Sequence, residues 1–284
     1  MSSPLRSVAD LAARLDDPDV RVVDCRWYLG RPGDGRVAYQ AGHVPGAVHL
    51  DLDADLSARE GPGRHPLPTP ADFVARLAQV GIGGEHDVVG YDDAGGWVAA
   101  RLWWMLDNLG HPRAAVLDGG WQAWQAANLP VSTAEPGHPV AEPWPVPGGW
   151  TRTIDRATLK DRLGSIVLLD ARGAPRYRGE TEPIDPVAGH IPTALNAPTD
   201  GNLASDGRFL DPSQLAERVR ALGADSVASD AVTSCGSGTA ACHHALAMRV
   251  AGLGDPLLYV GSWSDWSTAG EPIATGPEPG AAPR

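Results

Sequence analysis

Short apolar runs alternate along the chain with longer amphipathic segments. Runs such as VRVVD from Val20 and SIVLLD from Ser165 are rich in β-branched residues and have the length of buried strands. Segments such as PADFVARLAQVG from Pro70 and PSQLAERVRALG from Pro212 instead repeat their apolar residues with the period of a helix. Strands that alternate with helices predict an α/β fold, in which helices cover both faces of a mostly parallel sheet.

This pattern occurs twice along the chain, which indicates a duplicated domain. Three residues of the first half have counterparts in similar blocks of the second half, in the same order: Asp24 and Asp170, His43 and His190, and Trp121 and Trp263. The segment between the halves is rich in proline and follows neither period, as is typical of a linker. We therefore predict two domains of one type, at residues 1–133 and 150–284, joined by a linker at residues 134–149.

Composition and charge exclude several classes of protein. The formal net charge of -12 argues against nucleic acid or an anionic membrane as a partner, because the molecule as a whole would repel both. The chain shows neither an apolar export signal at its start nor an apolar run long enough to cross a membrane. Its three cysteines form an odd number, which favours reduced thiols over disulfides. We expect a cytoplasmic protein.

One cysteine stands in a segment suited to chemistry, TSCGSGTA from Thr233. The pattern places Cys235 at a turn between a strand and a helix, where α/β proteins bind their ligands. Gly236 and Gly238 can adopt backbone conformations closed to other residues, so that the N–H groups through Thr239 converge on the sulfur at the start of the helix. Such a site favours the thiolate and predicts a nucleophile. The alternative is a small buried apolar residue, which the flanking glycines disfavour.

The duplication offers an internal comparison for this position. The first half has VGYDDAGGW there, which puts Asp92 in the place of Cys235. A carboxylate cannot attack as a thiolate does, and its charge would repel an anion. We predict that the second domain is catalytic and that the first is inactive. For Cys25 and Cys242, neither of which precedes a glycine turn, we predict packing roles.

Taken together, the motifs GHVPGA, GHIPTA, DGGW, RYRGETEP and CGSG resemble those of tandem-domain rhodanese-family sulfurtransferases over essentially the whole chain. The resemblance implies an inactive first domain and an active second domain. It also implies that Cys235 takes a sulfane sulfur from a small anionic donor, becomes a persulfide, and passes the sulfur to cyanide, a thiol or a thioredoxin-like acceptor. This chemistry needs no metal and no organic cofactor.

The resemblance also suggests the donor and a catalytic set. Family members that act on 3-mercaptopyruvate usually carry Cys-Gly-Ser-Gly, as here, whereas those that act on thiosulfate often have charged residues after the cysteine. For the former group it implies a Ser-His-Asp arrangement, here Ser237, His65 and Asp53. The gap between Asp53 and His65 is one residue longer than the family pattern. A solvated loop histidine beside Pro66 is the alternative interpretation of His65.

Arginine suits a carboxylate or thiosulfate because its planar fork binds two oxygens. Arg176 occupies the family's substrate-binding position in RYRG, and Arg178, two residues on, would point to the same side of a strand. A solvated surface charge is the alternative for Arg178. The family's second arginine follows Glu-Pro, where this chain has Ile184. That departure keeps thiosulfate, alone or together with 3-mercaptopyruvate, as a candidate donor.

Two other functions fit the sequence less well. Phosphatases related to this fold need an arginine six positions after the cysteine, and this chain has Ala241 there. Tandem rhodanese-like domains can also serve as binding modules without catalysis, but such copies commonly lose the cysteine. The retained Cys235 therefore favours a sulfurtransferase.

Overall fold

The computed structural model describes residues 3–223 and 231–283. The chain forms two compact units, each of which combines segments that are separate in the sequence. The first contains the chain up to Ala58, Leu67–Thr151 and Ala204–Phe209, and the second contains Arg59–Pro66, Arg152–Leu203 and the chain from Leu210 onwards. The loop 59–66 thus belongs to the second unit although it lies in the first half of the sequence. The predicted boundaries at residues 133 and 150 remain predictions.

The first unit is built on a parallel sheet. Its described strands are β1 (Leu5–Arg6), β2 (Val20–Asp24), β3 (Val48–His49), β4 (Asp87–Tyr91) and β5 (Ala114–Leu117), in the order β1-β5-β4-β2-β3. In the register of the central pair, Val22 lies opposite Val89. Every residue of β2 and β4 is buried, as expected for strands covered on both faces.

The described helices of the first unit are α1 (Val8–Ala12), α2 (Asp34–Ala41), α3 (Pro70–Gln79), α4 (Trp97–Asn108) and α5 (Gly120–Ala126). The sequence of α3 shows why a helix forms there. Thr69 caps its start by accepting the N–H of Asp72, and Pro70 occupies the first turn, where it sacrifices no internal hydrogen bond. Phe73, Val74 and Leu77 form its buried face.

The second unit repeats this architecture. Its described strands are β6 (Val167–Asp170), β7 (Ala194–Asn196), β8 (Ala231–Ser234) and β9 (Leu257–Leu258), all parallel, in the order β7-β6-β8-β9. Its described helices are α6 (Arg156–Arg162), α7 (Ala174–Tyr177), a 3-10 turn (Thr199–Asn202), α8 (Pro212–Ala221), α9 (Ala241–Val250) and α10 (Ser262–Thr268). The predicted α/β fold with two similar domains is confirmed. Within the described ranges, every helix is too short or too polar to cross a membrane.

The recurring residues serve the same structural purpose in each unit. A buried arginine donates to the aspartate that ends β2 in the first unit and β6 in the second, and its guanidinium lies over the recurring tryptophan at 4.7 and 4.6 Å from the ring centroid. The two sets are Arg26 with Asp24 and Trp121, and Arg172 with Asp170 and Trp263. These interactions account for the repeat signal without a catalytic role.

The paired histidines are also structural. His43 stacks on Tyr39 with the ring centroids 3.9 Å apart, and both of its ring nitrogens bond to backbone carbonyls. His190 stacks on Tyr177 at 3.7 Å in the same way. Each histidine fixes the turn that leads into the next strand.

Candidate active site

Cys235 follows directly after β8, a strand flanked by β6 and β9. It therefore lies at the carboxyl end of an interior strand, where ligands bind in open parallel sheets. The helix α9 begins at Ala241, so Thr239 precedes the helix and does not open it as the sequence had suggested. Cys235 is only 3% exposed, which keeps its sulfur largely away from bulk water.

Backbone amides surround the sulfur as predicted, but the two glycines contribute differently. The N–H groups of Ser237 and Gly238 donate to Sγ at 3.4 and 3.1 Å. Gly238 has a φ of +79°, and a Cβ there would overlap the carbonyl oxygen of Val260. Gly236 does not have a positive φ, which corrects the prediction that both glycines use unusual backbone angles. What its missing side chain provides is room, since a Cβ would lie 3.0 Å from Nη2 of Arg64.

The start of α10 holds the cysteine loop in place. The N–H of Cys235 donates to Oγ of Ser262, while the N–H groups of Trp263 and Ser264 donate to the carbonyls of Cys235 and Gly236, all at 3.0 Å. Ser262 has a φ of +52°, a strained value for a residue with a side chain. The loop therefore bonds to a second, fixed segment of the same unit.

Ser237 and His65 form a hydrogen-bonded pair beside the cysteine. Oγ of Ser237 lies 2.7 Å from Nδ1 of His65, and Oγ1 of Thr239 lies 3.5 Å from the same nitrogen. Both Ser237 and His65 are buried, so the alternative of a solvated loop histidine is wrong. A buried hydroxyl and imidazole at this distance have the geometry of a proton-transfer pair.

Asp53 lies in the first unit, in the segment that follows β3. Its Oδ2 accepts a hydrogen bond from the indole nitrogen of Trp27 at 2.7 Å. A neutral donor of this kind orients the carboxylate. Its role as the third member of the catalytic set stays a prediction.

Arg176 lies against the cysteine loop. It donates to Glu182 at 2.7 Å and to Asp185 at 3.2 Å, and its Nη1 lies 3.5 Å from the position of a Cβ on Gly236. The strand predicted around Arg176 and Arg178 is wrong, because this segment is the helix α7. Arg178 caps that helix and pairs with the exposed Glu180 at 2.7 Å. The strand argument that grouped it with Arg176 therefore no longer applies.

Two charged residues at this site, Arg64 and Asp185, were not predicted from the sequence. Nη1 of Arg64 pairs with Oδ1 of Asp185, and Oδ2 of the same carboxylate accepts a hydrogen bond from Arg176. Burial raises the pKa of Asp185, and the facing guanidinium groups of Arg64 and Arg176 oppose that shift. Arg64 is notable in the sequence only as the neighbour of His65, and Asp185 only as a member of RYRGETEPIDP. Neither feature indicates that the two residues pair.

In the first unit, Asp92 occupies the position that corresponds to Cys235, directly after β4. Its carboxylate accepts four backbone N–H groups at 2.8 to 2.9 Å, from Ala94, Gly96, Val98 and Ala99. Burial raises the pKa of Asp92, and the four amides counteract that shift. The side chain thus fills the ring of amides that the second unit directs at a sulfur.

Within the described residues, no cluster of three or more His, Cys, Asp or Glu side chains is arranged to hold a metal ion. A buried thiol that receives backbone amides at the end of a parallel sheet, with a hydroxyl–imidazole pair beside it, is the arrangement expected of an enzyme with a cysteine nucleophile. The family model described as "Rhodanese-like domain" matches residues 7–127 and 155–269. The chain belongs to the rhodanese family, and it is a sulfurtransferase with two copies of the domain.

Similar proteins extend over nearly the whole chain. A protein of Pseudomonas aeruginosa named "Probable 3-mercaptopyruvate sulfurtransferase" is 47% identical over 97% of this chain and 99% of its own length. The "Thiosulfate sulfurtransferase" of Rattus norvegicus is 34% identical over 88% of this chain and 85% of its own length. The structure of 3-mercaptopyruvate sulfurtransferase from Leishmania major has a TM-score of 0.83 and 33% identity, covering 94% of this chain and 74% of that one.

Proposed function

We propose that the protein transfers a sulfur atom from 3-mercaptopyruvate, and less efficiently from thiosulfate, to a thiol or to cyanide through a persulfide on Cys235. The observation that carries the choice of 3-mercaptopyruvate is the 2.7 Å contact between Ser237 and His65 beside the cysteine. The similarity to the Pseudomonas aeruginosa protein supports the same choice. The similarity to a thiosulfate sulfurtransferase keeps the second donor in the proposal.

The two donors differ in their need for a proton. With 3-mercaptopyruvate, the Cys235 thiolate attacks the substrate sulfur and forms an S–S bond while the C–S bond breaks. The electron pair of the C–S bond goes to the methylene carbon, which takes up the proton released by the substrate thiol, and pyruvate leaves. With thiosulfate, the same attack displaces sulfite and moves no proton. A proton relay therefore benefits only the first donor.

Ser237 and His65 are placed to act as that relay. The imidazole can accept the proton of the substrate thiol, and the hydroxyl can deliver a proton to the methylene carbon. Either of these two proton transfers can come first. Asp53 would stabilise the imidazolium that forms in between, as the third member of the set. Thr239, at 3.5 Å from the same imidazole nitrogen, would help to fix the orientation of the ring.

The cysteine loop would stabilise the charge on the persulfide. The N–H groups of Ser237 and Gly238 already donate to Sγ, and preorganised amides need no rearrangement when the second sulfur arrives. Gly236 allows the guanidinium groups of Arg64 and Arg176 to lie close to the loop, because a Cβ there would be 3.0 Å from Nη2 of Arg64. Arg176 would bind the carboxylate of 3-mercaptopyruvate or the sulfonate oxygens of thiosulfate. The acceptor then attacks the outer sulfur, and the thiolate of Cys235 is restored.

The physiological acceptor in this proposal is a thiol, either small or on a thioredoxin-like protein, and the expected compartment is the cytoplasm. Both expectations follow from the chemistry, because a persulfide transfers its outer sulfur to a thiolate in a reducing environment.

The test compares both donors in the wild type and in Ser237→Ala, with acceptor in excess. We expect 3-mercaptopyruvate turnover to fall by about 100-fold, within the range for loss of general acid–base catalysis, while thiosulfate turnover stays within about threefold. Ser165→Ala, at a serine outside the site, is the matched control. Intact-mass analysis should show one added sulfur atom in the wild type and none in Cys235→Ser. Equal losses with both donors would contradict the relay.

A further inference from the structure

We propose that Arg64 is a second anion-binding residue of the cysteine loop and that the loop 59–66 thereby contributes to donor recognition. This inference rests on the proposed function, in which the donor is an anion. Arg64 comes from the first half of the sequence but would form part of the substrate site of the second unit. The position at which the family usually has a second arginine is occupied by Ile184 in this chain.

Charge alternates along a chain of six side chains that ends at Arg64. Arg172 pairs with Asp170 and contacts Glu182, Arg176 pairs with Glu182 and Asp185, and Arg64 pairs with Asp185. Without Arg64 the network would contain three carboxylates and two guanidinium groups. An anionic donor would then approach a site with a net negative charge, beside a thiolate, and Coulomb repulsion would weaken its binding.

Exposure distinguishes Arg64 and Arg176 from the other members of this network, because the side chain of Arg172 is as buried as the carboxylates. The carboxylates of Asp170, Glu182 and Asp185 are exposed by only 2 to 4%. The guanidinium-bearing side chains of Arg176 and Arg64 are exposed by 22 and 29%. A molecule that enters from solvent therefore meets the positive ends of the network, while its negative members stay buried behind them.

Both exposed arginines converge on the same point of the cysteine loop. An ideal Cβ on Gly236 would lie 3.0 Å from Nη2 of Arg64 and 3.5 Å from Nη1 of Arg176. Gly236 is the residue after the nucleophile, so an anion bound there lies next to Sγ of Cys235. Asp185 uses one oxygen for each arginine and is therefore the positioning residue that holds them side by side.

The backbone of Arg64 is tied to the cysteine loop through Ser264. The N–H of Arg64 donates to Oγ of Ser264 at 3.0 Å, and the N–H of Ser264 donates to the carbonyl of Gly236 at the same distance. The preceding Gly63 has a φ of +77°, and a Cβ there would lie 2.5 Å from the carbonyl oxygen of Gly261. This close contact requires glycine and fixes the base of the Arg64 side chain.

Arg64 also has hydrogen-bonding capacity to spare. Its Nε is buried and has no hydrogen-bond partner among the residues that the structure describes. Asp185 is bound through Nη1, whereas Nη2 is the atom that faces Gly236. A carboxylate or sulfonate placed between Nη2 of Arg64 and Nη1 of Arg176 would receive a charge-assisted hydrogen bond from each.

Alkylation of Cys235 tests this inference without any sulfur donor. Iodoacetate is an anion and iodoacetamide is neutral, yet both react with the same thiolate and release iodide. The ratio of their rate constants therefore reports the local potential and is independent of how much thiolate is present. We expect Arg64→Gln to lower the iodoacetate-to-iodoacetamide ratio at Cys235 by about fivefold, as loss of one nearby charge predicts. Arg64→Lys should restore most of the ratio.

Arg249→Gln is the matched control, because it removes the same charge in the same unit from a side chain of similar exposure that pairs with Asp255. It should leave the ratio unchanged. An unchanged ratio in Arg64→Gln would overturn the inference. If the ratio is unchanged because both rate constants fall equally, the role of Arg64 is structural. Peptide mass analysis assigns the alkylation to Cys235 and not to Cys25 or Cys242.

Steady-state kinetics connect this result to turnover. Arg64→Gln should raise the KM for both donors by about five- to tenfold and change kcat far less, because the lost contact binds the donor before and during transfer alike. Sulfur loading of the wild type is measured in parallel. If the wild type gains no sulfur from either donor, the proposed function fails while the alkylation ratio still decides the role of Arg64. If the wild type gains sulfur and the ratio does not change, only the inference about Arg64 fails.

Discussion

The hydroxyl oxygen of Ser237 lies 2.7 Å from Nδ1 of His65, although the two residues are 172 positions apart in the chain. Folding brings them together because the loop 59–66 belongs to the compact unit that contains the cysteine loop. Both side chains are buried, so neither is satisfied by bulk water. In the proposed mechanism this pair carries the proton transfer, for which Cys235 and the backbone amides offer no group.

A double-mutant cycle measures how far these two residues act together. Ser237→Ala and His65→Ala should each lower 3-mercaptopyruvate turnover by about 100-fold, and the double variant should be little worse than either, because residues that form one relay are not additive. Turnover with both donors is the measurement. Losses that multiply in the double variant would show that the two side chains act independently.

The conformation of Gly238 should be indispensable to the cysteine loop. Gly238→Ala combines a strained positive φ with an overlap on the carbonyl of Val260, so we expect a loss of about 3 kcal/mol in the free energy of unfolding, together with loss of sulfur uptake. Gly252→Ala is the control, since its φ is +71° but no atom lies within 4 Å of the new Cβ. It should cost about 1 kcal/mol. Urea unfolding and intact-mass analysis provide both readouts, and equal costs would refute the steric argument.

Asp92 should stabilise the first unit by satisfying backbone amides. Asp92→Ala leaves four backbone N–H groups without their acceptor, three of them buried, so we expect the free energy of unfolding to fall by about 3 to 5 kcal/mol. Asp93→Ala, which removes a single hydrogen bond from Tyr28, should cost about 1 kcal/mol. Cys235 should still take up sulfur in the folded fraction of both variants. A cost at Asp92 no larger than that at Asp93 would contradict the role of its carboxylate.

The stability of the protein should depend on pH through His244. Burial lowers the pKa of His244 to about 4 from the usual 6.5, and its neighbours there are the carbonyl of Ala197, Asn202 and the charges of Arg218 and Asp170. Between these two values the unfolded chain binds a proton that the folded chain does not. The free energy of unfolding should therefore fall as the pH drops from 6.5 towards 4, by up to roughly 3 kcal/mol from this residue.

Urea unfolding at several pH values in this window measures that dependence. His244→Asn should flatten the curve, because it removes the group that titrates, whatever its effect on stability at neutral pH. His138→Asn, at a histidine outside the core, should leave the slope as it is in the wild type. A slope unchanged in His244→Asn would show that other groups cause the pH dependence.

Much of the fold follows from the local pattern of the sequence. The run from Val20 predicts β2, the segment from Pro70 predicts α3, and the structure forms both. These elements have strong periodicity and their own start signals, so neighbouring residues suffice to specify them. The segment at Arg176 shows the limit, because a four-residue helix is too short for any period to indicate.

The sequence by itself determined the duplicated α/β architecture and the place of Cys235. Periodicity and glycine turns are local patterns, and the repeat is visible when the two halves of the sequence are compared. Only the tertiary structure decided which distant side chains surround that cysteine. Arg64 pairs with Asp185, and His65 contacts Ser237, across more than a hundred residues of chain in each case. A long-range ion pair or hydrogen bond leaves no local pattern in the sequence. The charges around the site and its proposed proton relay therefore depend on tertiary packing, whereas the proposed nucleophile is predictable from the local sequence.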